Sequence, residues 1–390
     1  RMVGMSPKKA HEVTRMAAYV AFIAQKLRVP NGVYIVDVGA GQGHLARELL
    51  DVVPSVRGVL ALDGDAVLVE RQTNARPNRG WANLKGKDYD VDGIDRGDAT
   101  QVTHKFCRVS SSEKLIEAVD EWFVEMETSE VLRSDVPKPV ILISLHGCGS
   151  LSLDVLRACV GNSDGTEEFV QRSKRKWGFI ASVTVPCCYN LLRDGEYPLC
   201  AATSPITKYI LPHPLTPNAY HLAAQVPDTW VFFEPIKTSL PLRKVVWRAL
   251  LECVLVRKGI KLDNLEDNSS KLEQGRLGKI GRFPSRAYDS WATFLGMAEA
   301  RLGRYPISAT LPPSLAPLAR ALSILHVLRC ILGPLVESAL LEDRVQWVRE
   351  QLTNVEMGYE ASLVPLFSQL GEAGSARNIA VVVVPKYLSG

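Results

Sequence analysis

Val33-Tyr34-Ile35-Val36-Asp37-Val38-Gly39-Ala40-Gly41-Gln42-Gly43-His44 carries a short apolar run into glycines at every second position, then into a helical pattern from His44 to Val53. A continuous apolar run of this length suits a strand buried on both faces. The glycines let the backbone bend sharply and approach a ligand without side-chain obstruction. Strand, tight turn and helix in that order predict the first unit of a doubly wound α/β sheet with a cofactor at the turn. The spacing is GxGxG, and His44 stands where a dinucleotide fingerprint needs its last glycine; a Walker lysine is also absent, so pyrophosphate binding is not expected.

Working outward, Val59 to Leu62 predicts a second buried strand ending at Asp63, twenty residues past Gly43, where a carboxylate can accept hydrogens from both ribose hydroxyls. Ala66 to Asn74 follows as a helix. The polar stretch Arg76 to Thr103 predicts a long surface loop. Phe106 to Val109 is expected as a third strand and Glu113 to Glu127 as its helix. Val140 to Leu145, Ser152 to Val160 and Gly178 to Val185 continue the alternation of strand and helix. Upstream, apolar residues from Lys9 to Leu27 recur at helical spacing, opened by Ser6-Pro7.

Beyond Asn190 the pattern becomes helix and loop. Helices are expected over Leu240 to Arg257, over Arg286 to Leu302, and as one or two pieces over Pro317 to Gln351 around Gly333-Pro334; Leu262 to Gly281 reads as a flexible loop. Strand signals return only at Leu363 to Phe367 and Asn378 to Val384, which suits a terminal hairpin. The fold class expected is α/β: a doubly wound Rossmann-like sheet with a large helical insertion and a C-terminal strand hairpin completing it. In numbers, 1–30 is a helix capping the cofactor site, 31–190 and 355–390 the core, and 191–354 the insertion.

The 390 residues, 46% hydrophobic and 23% charged, have ordinary globular composition and exclude global disorder. A net charge of +4 is compatible with nucleic acid as a partner without requiring it. No window approaches eighteen uncharged apolar residues, so no membrane partner is expected. The chain begins at Arg1 with no secretory pattern and is expected to be a trimmed fragment. Its eight cysteines lie in apolar stretches without a CxxC pair, which favours an intracellular compartment, cytoplasmic or nuclear.

In such sheets ligands bind outside the carboxyl ends of the strands. Ser144-Leu145-His146-Gly147-Cys148-Gly149 closes the fourth strand and Pro186-Cys187-Cys188-Tyr189-Asn190 the fifth. Topology therefore makes His146, Cys148, Cys187, Cys188 and Tyr189 substrate-side candidates. His146 has the pKa range of a general base, or else shapes the pocket through one hydrogen bond. Tyr189 can orient an acceptor. The cysteines suit packing better than nucleophilic attack, and a zinc site from His146, Cys148, Cys187 and Cys188 is disfavoured because adjacent cysteines make an awkward tetrahedral pair. No metal is expected.

Asp37, the GxGxG turn and Asp63 together resemble the S-adenosylmethionine (SAM) site of Rossmann-like methyltransferases; a glycine turn that merely packs helix on strand is the other reading. Met5-Ser6-Pro7-Lys8-Lys9-Ala10-His11-Glu12-Val13, DVGAGQGHLAR from Asp37, LHGCG from Leu145, CCYNLL from Cys187, and SARNIAVVVVPK from Ser375 resemble the methyltransferase-like protein 25 family, whose members include ribosomal RNA adenine dimethylase domain-containing proteins. GRLGKIG near Gly275 and LLEDRVQWVRE near Leu340 extend the resemblance over nearly the whole chain. A broader similarity links the glycine loop and double cysteine to the family that 2′-O-methylates transfer RNA acceptor stems, where CCHH stands in place of this chain's CCYN.

The resemblance implies SAM as cofactor, held by Lys9, Asp37, Gly39, Gly41, Gly43, His44, Asp63, Leu145 and His146. It implies His146, Cys187, Tyr189 and His11 as candidate catalytic residues. The family's usual lysine, histidine and glutamate stand here as Lys9, His11 and Glu12, and on a helix fixed by Ser6-Pro7 Lys9 and His11 can lie over the glycine loop. The other reading is a solvated helix start with ordinary ion pairs among Lys8, Glu12 and Arg15 or between Lys9 and Glu12. Basic clusters at Arg172 to Lys176, at Arg243, Lys244, Arg248, Arg257, Lys258 and Lys261, and at Lys271, Arg276, Lys279, Arg282 and Arg286 accompany Trp247, Phe283, Tyr288 and Trp291, a combination suited to phosphate contact and base stacking. The expected partner is RNA, ribosomal or transfer. A ribosomal or translation-associated protein substrate, or SAM binding without turnover, are the alternatives.

Overall fold

The computed structural model describes residues 5–53, 55–73, 102–129, 137–161, 176–201, 215, 217–224, 235–257, 281, 283–302, 316–353, 358–369 and 373–388. Strands β1 (Val33–Val38), β2 (Val56–Asp63), β3 (Val102–Phe106), β4 (Lys138–Cys148), β5 (Trp177–Cys187), β6 (Tyr359–Pro365) and β7 (Ile379–Pro385) form one sheet in the order β3-β2-β1-β4-β5-β7-β6. The first five pair in parallel, and β7 runs antiparallel between β5 and β6. The strand order reverses between β1 and β4, which puts the glycine turn at the switch point where ligands bind in such sheets.

β1 shows why its sequence is apolar throughout. Val33 and Ile35 enter one core cluster, while Tyr34, Val36 and Val38 enter the cluster on the other face. The first face is covered by α1 (Pro7–Leu27) and α2 (His44–Val52), the second by α4 (Ser112–Ser129) and α5 (Leu151–Val160); α3 is Ala66–Thr73. Ser6 caps α1 by accepting from the Lys9 N–H at 3.3 Å, and Pro7 fills its first position. The face of α1 carrying Val13, Met16, Ala17, Val20 and Ile23 is fully or almost fully buried. Each of its large aliphatic side chains contributes about 1.5–3 kcal/mol.

The third strand and the helix expected from Arg286 shift. The third strand is Val102–Phe106, four residues earlier than its apolar neighbour suggested, because Thr103 and Lys105 belong to a half-buried edge strand instead of a core run. The helix expected from Arg286 divides into a single turn at Ser285–Tyr288 and helix α7, Trp291–Arg301, which Ser290 caps by accepting from the Thr293 N–H at 3.1 Å. Helix α8 (Ala316–Thr353) runs through Pro334 without a break; α6 is Pro235–Arg257. By length and composition α8 is the one helix among the described residues apolar enough to cross a membrane; Ile324, Leu325, Leu328, Ile331 and Leu332 on its first half are exposed, whereas Leu340, Leu341, Val345 and Val348 on its second half are buried in a protein core.

The chain divides into two compact units, one of Arg1–Ala224 with Leu335–Gly390 and one of Gln225–Pro334. The boundary therefore falls later than the composition change after Asn190, and residues from Leu335 onward return to the first unit. In the second unit Phe283, Tyr288 and Phe294 are buried with Leu250, Leu251 and Leu295, and Trp247 and Trp291 pack against them. Phe283, Tyr288 and Phe294 are thus core residues unavailable for base stacking, while Trp247 and Trp291 are partly buried at the cluster's edge. Arg243 and Arg248 serve the same cluster, donating to the Tyr288 carbonyl at 2.9 Å and the Tyr288 hydroxyl at 3.1 Å. The expected loops at Arg76 to Thr103 (to residue 101) and Leu262 to Gly281 (to residue 280), GRLGKIG up to its last glycine, and the basic residues 172–175, 258, 261, 271, 276, 279 and 282 lie outside the described residues.

Candidate active site

The turn after β1 is built by backbone geometry. Gly39, Gly41 and Gly43 have φ of 76°, 56° and 63°, the left-handed region that other residues enter at a cost. The N–H groups of Gly39 and Ala40 both donate to the Leu62 carbonyl, at 2.9 and 3.0 Å, which ties the turn to β2. A Cβ placed on Gly41 would meet nothing within 4 Å, whereas one on Gly43 would come within 2.5 Å of the His104 ring. Gly41 thus faces open space, and Gly43 is small because β3 crowds it.

Two carboxylates flank the turn. Asp63, at the end of β2, accepts from the Gly41 N–H at 2.7 Å and from the Asp65 N–H at 2.9 Å. Each oxygen keeps a lone pair for a further donor. Asp37 is buried, and its Oδ2 has no hydrogen-bond partner in the protein. Burial raises its carboxyl to about 7; the nearby Lys9 ammonium works against that rise and Asp63 adds to it. The Lys9 charge thus reaches Asp37 from the start of α1. His44, at the start of α2, shares a hydrogen bond with Gln42 at 2.9 Å and lies 3.3 Å from Arg47 through Nδ1. The Leu145 side chain is buried in the first core cluster, leaving only its backbone for a ligand.

Glu12 is marked by the family resemblance together with Lys9 and His11, but its partners are not legible in the spacing. Its spacing from Lys8 reads as an exposed ion pair, but it is buried, accepting from the Ser375 hydroxyl at 2.7 Å and lying 3.5 Å from His146 Nε2. Burial alone would raise its carboxyl. Hydrogen bonds with His146 and Ser375 and the charges of His146 and Lys8 outweigh burial and lower it to about 2. His146 is partly exposed at the end of β4, oriented by this carboxylate from α1.

Other candidates sit elsewhere than expected. Tyr189 is fully buried, donates to Glu337 at 3.1 Å and lies under the Arg344 and Arg377 guanidinium groups, so it has no open face for an acceptor. Burial pushes its hydroxyl pKa well up. His11 accepts from the Ser368 N–H at 3.1 Å and packs edge-on against Phe367, which makes it an anchor for the segment after β6. Cys187 is buried, with its sulfur 3.3 Å from that of Cys148; all eight cysteines are free thiols. The Cys187 hydrogen bond, opposed by burial, holds the Cys148 thiol below its ordinary value.

Strand order, switch-point turn and flanking carboxylates define the Rossmann-like α/β fold of methyltransferases. Residues 8–195 match the family model described as "Methyltransferase domain", a stretch that contains the turn, both carboxylates, Glu12 and His146. Solved structures with partial likeness include the 23S rRNA methyltransferase ErmE (12% identity over 49% of this chain and 54% of that one, TM-score 0.22). PRMT6-SAH gives 15% identity over 44% of each chain and a TM-score of 0.25. A cyclopropane-fatty-acyl-phospholipid synthase-like protein from Lactobacillus casei gives 18% identity over 44% of this chain and 49% of that one, with a TM-score of 0.20. The chain spans about half the length of these proteins, and scores so low add nothing to what the strand order already establishes.

Proposed function

We propose that this methyltransferase domain uses SAM and transfers its methyl group to RNA. The observation that carries the cofactor assignment is the open, side-chain-free space at Gly41, whose N–H donates to the Asp63 carboxylate, together with the unpartnered, buried Oδ2 of Asp37 on the strand that leads into the turn. The residues present fit the group. Asp63 has lone pairs to spare for ribose hydroxyls, Asp37 offers a carboxylate oxygen to an amine, and Lys9 offers an ammonium to a carboxylate.

Bound SAM supplies a methyl group already activated on a sulfonium. What remains for the protein is chiefly to place an acceptor in line with it, a large effect that needs no covalent enzyme intermediate. Gly39 to Gly43 shape the cradle, Asp63 fixes the turn against β2, and Glu12 holds the His146 ring at the end of β4, where an acceptor proton would be received.

The acceptor assignment rests on charge. Residues 225–334 hold sixteen Lys and Arg against nine Asp and Glu, an excess larger than the +4 of the whole chain. That asymmetry suits a polyanion, whose phosphates supply most of the binding free energy. The resemblance to the methyltransferase-like protein 25 family supports the same reading, and free cysteines agree with an intracellular setting. Incubating the full chain with tritiated SAM and cell extract, then treating with ribonuclease or protease, tests it. Ribonuclease-sensitive label is expected; label that survives ribonuclease and is lost to protease would assign a protein acceptor instead.

A further inference from the structure

The ends of β4 and β5 hold a second constellation that methyl transfer does not use. Cys148, Cys187 and Cys188 place their sulfur atoms within 4.8 Å of one another, and Cys148 and Cys187 are only 3.3 Å apart. Tetrahedral zinc with Zn–S bonds of about 2.3 Å separates its sulfurs by about 3.8 Å. Small side-chain rotations would bring the three into that range.

The fold overcomes the objection to adjacent cysteines. Cys148 and Cys187 are register partners on neighbouring parallel strands. If Cys188 continued the strand, its side chain would leave on the opposite face. It adopts φ 48° and ψ 49° instead, a left-handed conformation that costs a non-glycine residue about 1–2 kcal/mol. Arg28 is the other non-glycine residue with positive φ among the described residues, and it merely caps the end of α1. The turn at Cys188 brings its sulfur back beside the other two.

The surroundings hold this arrangement in place. The Gly149 N–H donates to the Cys187 carbonyl at 2.8 Å, and a Cβ on Gly149 would strike the Leu191 backbone at 2.4 Å, so the two strand ends are locked together by close approach. Among the described residues no histidine, aspartate or glutamate joins the cluster as a fourth ligand. Three protein ligands with one position left over is the arrangement of sites that keep a place for water or a substrate atom.

We propose that Cys148, Cys187 and Cys188 form a three-thiolate binding site for a zinc ion, with its fourth position open to solvent or to an incoming ligand. Soft sulfur donors select zinc over magnesium or calcium. The site stands independently of the SAM assignment, since none of its ligands belongs to the glycine cradle.

The test is direct metal binding by the full chain, reduced and metal-stripped, with zinc alone measured against a chromophoric chelator and cobalt(II) as the spectroscopic probe. One equivalent of zinc and a thiolate-to-cobalt charge-transfer absorption are expected. Cys188→Ser is expected to weaken zinc binding at least tenfold, while Cys253→Ser, far from the cluster in sequence and outside it, leaves binding unchanged. Wild-type protein that takes up no stoichiometric zinc and shows no charge-transfer band would overturn the site. So would Cys188→Ser binding as tightly as wild type. Cys187→Ser removes a buried thiol and can unfold the chain, so the result is read from Cys188.

Discussion

The Gly41 N–H donates to Asp63 Oδ2 at 2.7 Å, so the carboxylate expected to read a ribose also closes the glycine turn against the end of β2. One side chain thereby couples the shape of the cradle to its chemistry. Its second oxygen accepts from Asp65 and begins the turn into α3.

Substitutions at two glycines should separate shape from stability. Both have positive φ, so an added Cβ costs about 1–2 kcal/mol in either place. At Gly41 nothing else is met, whereas at Gly43 the new atom would overlap the His104 ring. Gly41→Ala is expected to lose about 1 kcal/mol in denaturant unfolding yet weaken SAM binding at least tenfold by calorimetry. Gly43→Ala is expected to lose more stability than Gly41→Ala. Equal stability losses would contradict the crowding by His104.

Glu12 sets an acid dependence. Its carboxyl is lowered from an ordinary value of 4.5 to about 2, so it contributes stability that is fully present above the unfolded-state value and is lost as pH falls from about 4.5 toward 2. Glu12→Gln should be less stable than wild type at pH 7, and the gap should narrow across that window in thermal unfolding. A gap that stays constant from pH 7 to pH 2.5 would show that the carboxylate is not held in its charged form.

Asp37 carries the opposite sign. Its carboxyl is raised to about 7, so ionisation opposes folding and the cost grows as pH rises from the ordinary 3.8 through 7. Asp37→Asn should raise the melting temperature at pH 8 more than at pH 5, while losing SAM affinity. This is the pattern of a group kept for a ligand at the expense of the fold. A variant that is destabilised at pH 8 would reject it.

His146 and Glu12 should act together in transfer. His146→Ala is expected to lower kcat by about 10²-fold or more with SAM affinity nearly retained, the range typical of a general base. Glu12→Gln should cost less and shift the pH–rate profile, because it disturbs a ring that is still present. Unchanged transfer in His146→Ala would leave that residue a shaping role only.

Much of this arrangement is legible in the residues themselves. β1 is bounded by an apolar run and a glycine cluster, and its observed ends, Val33 and Val38, are those the run implies. Asp63 is legible because spacing along a βαβ unit fixes where the second strand must end. β3 is not, since an edge strand such as Val102–Phe106 alternates polar and apolar residues and competes poorly with an apolar neighbour.

Side-chain direction was the harder quantity. Strand-end topology places Tyr189 and Cys188 at the same rim, but the left-handed turn at Cys188 sends the tyrosine into the core and gathers the sulfurs, and nothing in a cysteine pair announces positive φ. The burial of Glu12 was concealed for a different reason. A carboxylate four residues from a lysine on a helix looks solvated until Ser375, more than 350 residues away in sequence, is seen to close over it.

Whether SAM occupies the cradle formed by the glycine turn, Asp37 and Asp63 decides everything that follows from it. Isothermal titration of the full chain with SAM, in parallel with Asp63→Ala, measures it most directly. One equivalent bound by wild type and at least a hundredfold weaker binding by the variant are expected. Undiminished binding by Asp63→Ala, or no binding by correctly folded wild type, would contradict that occupancy.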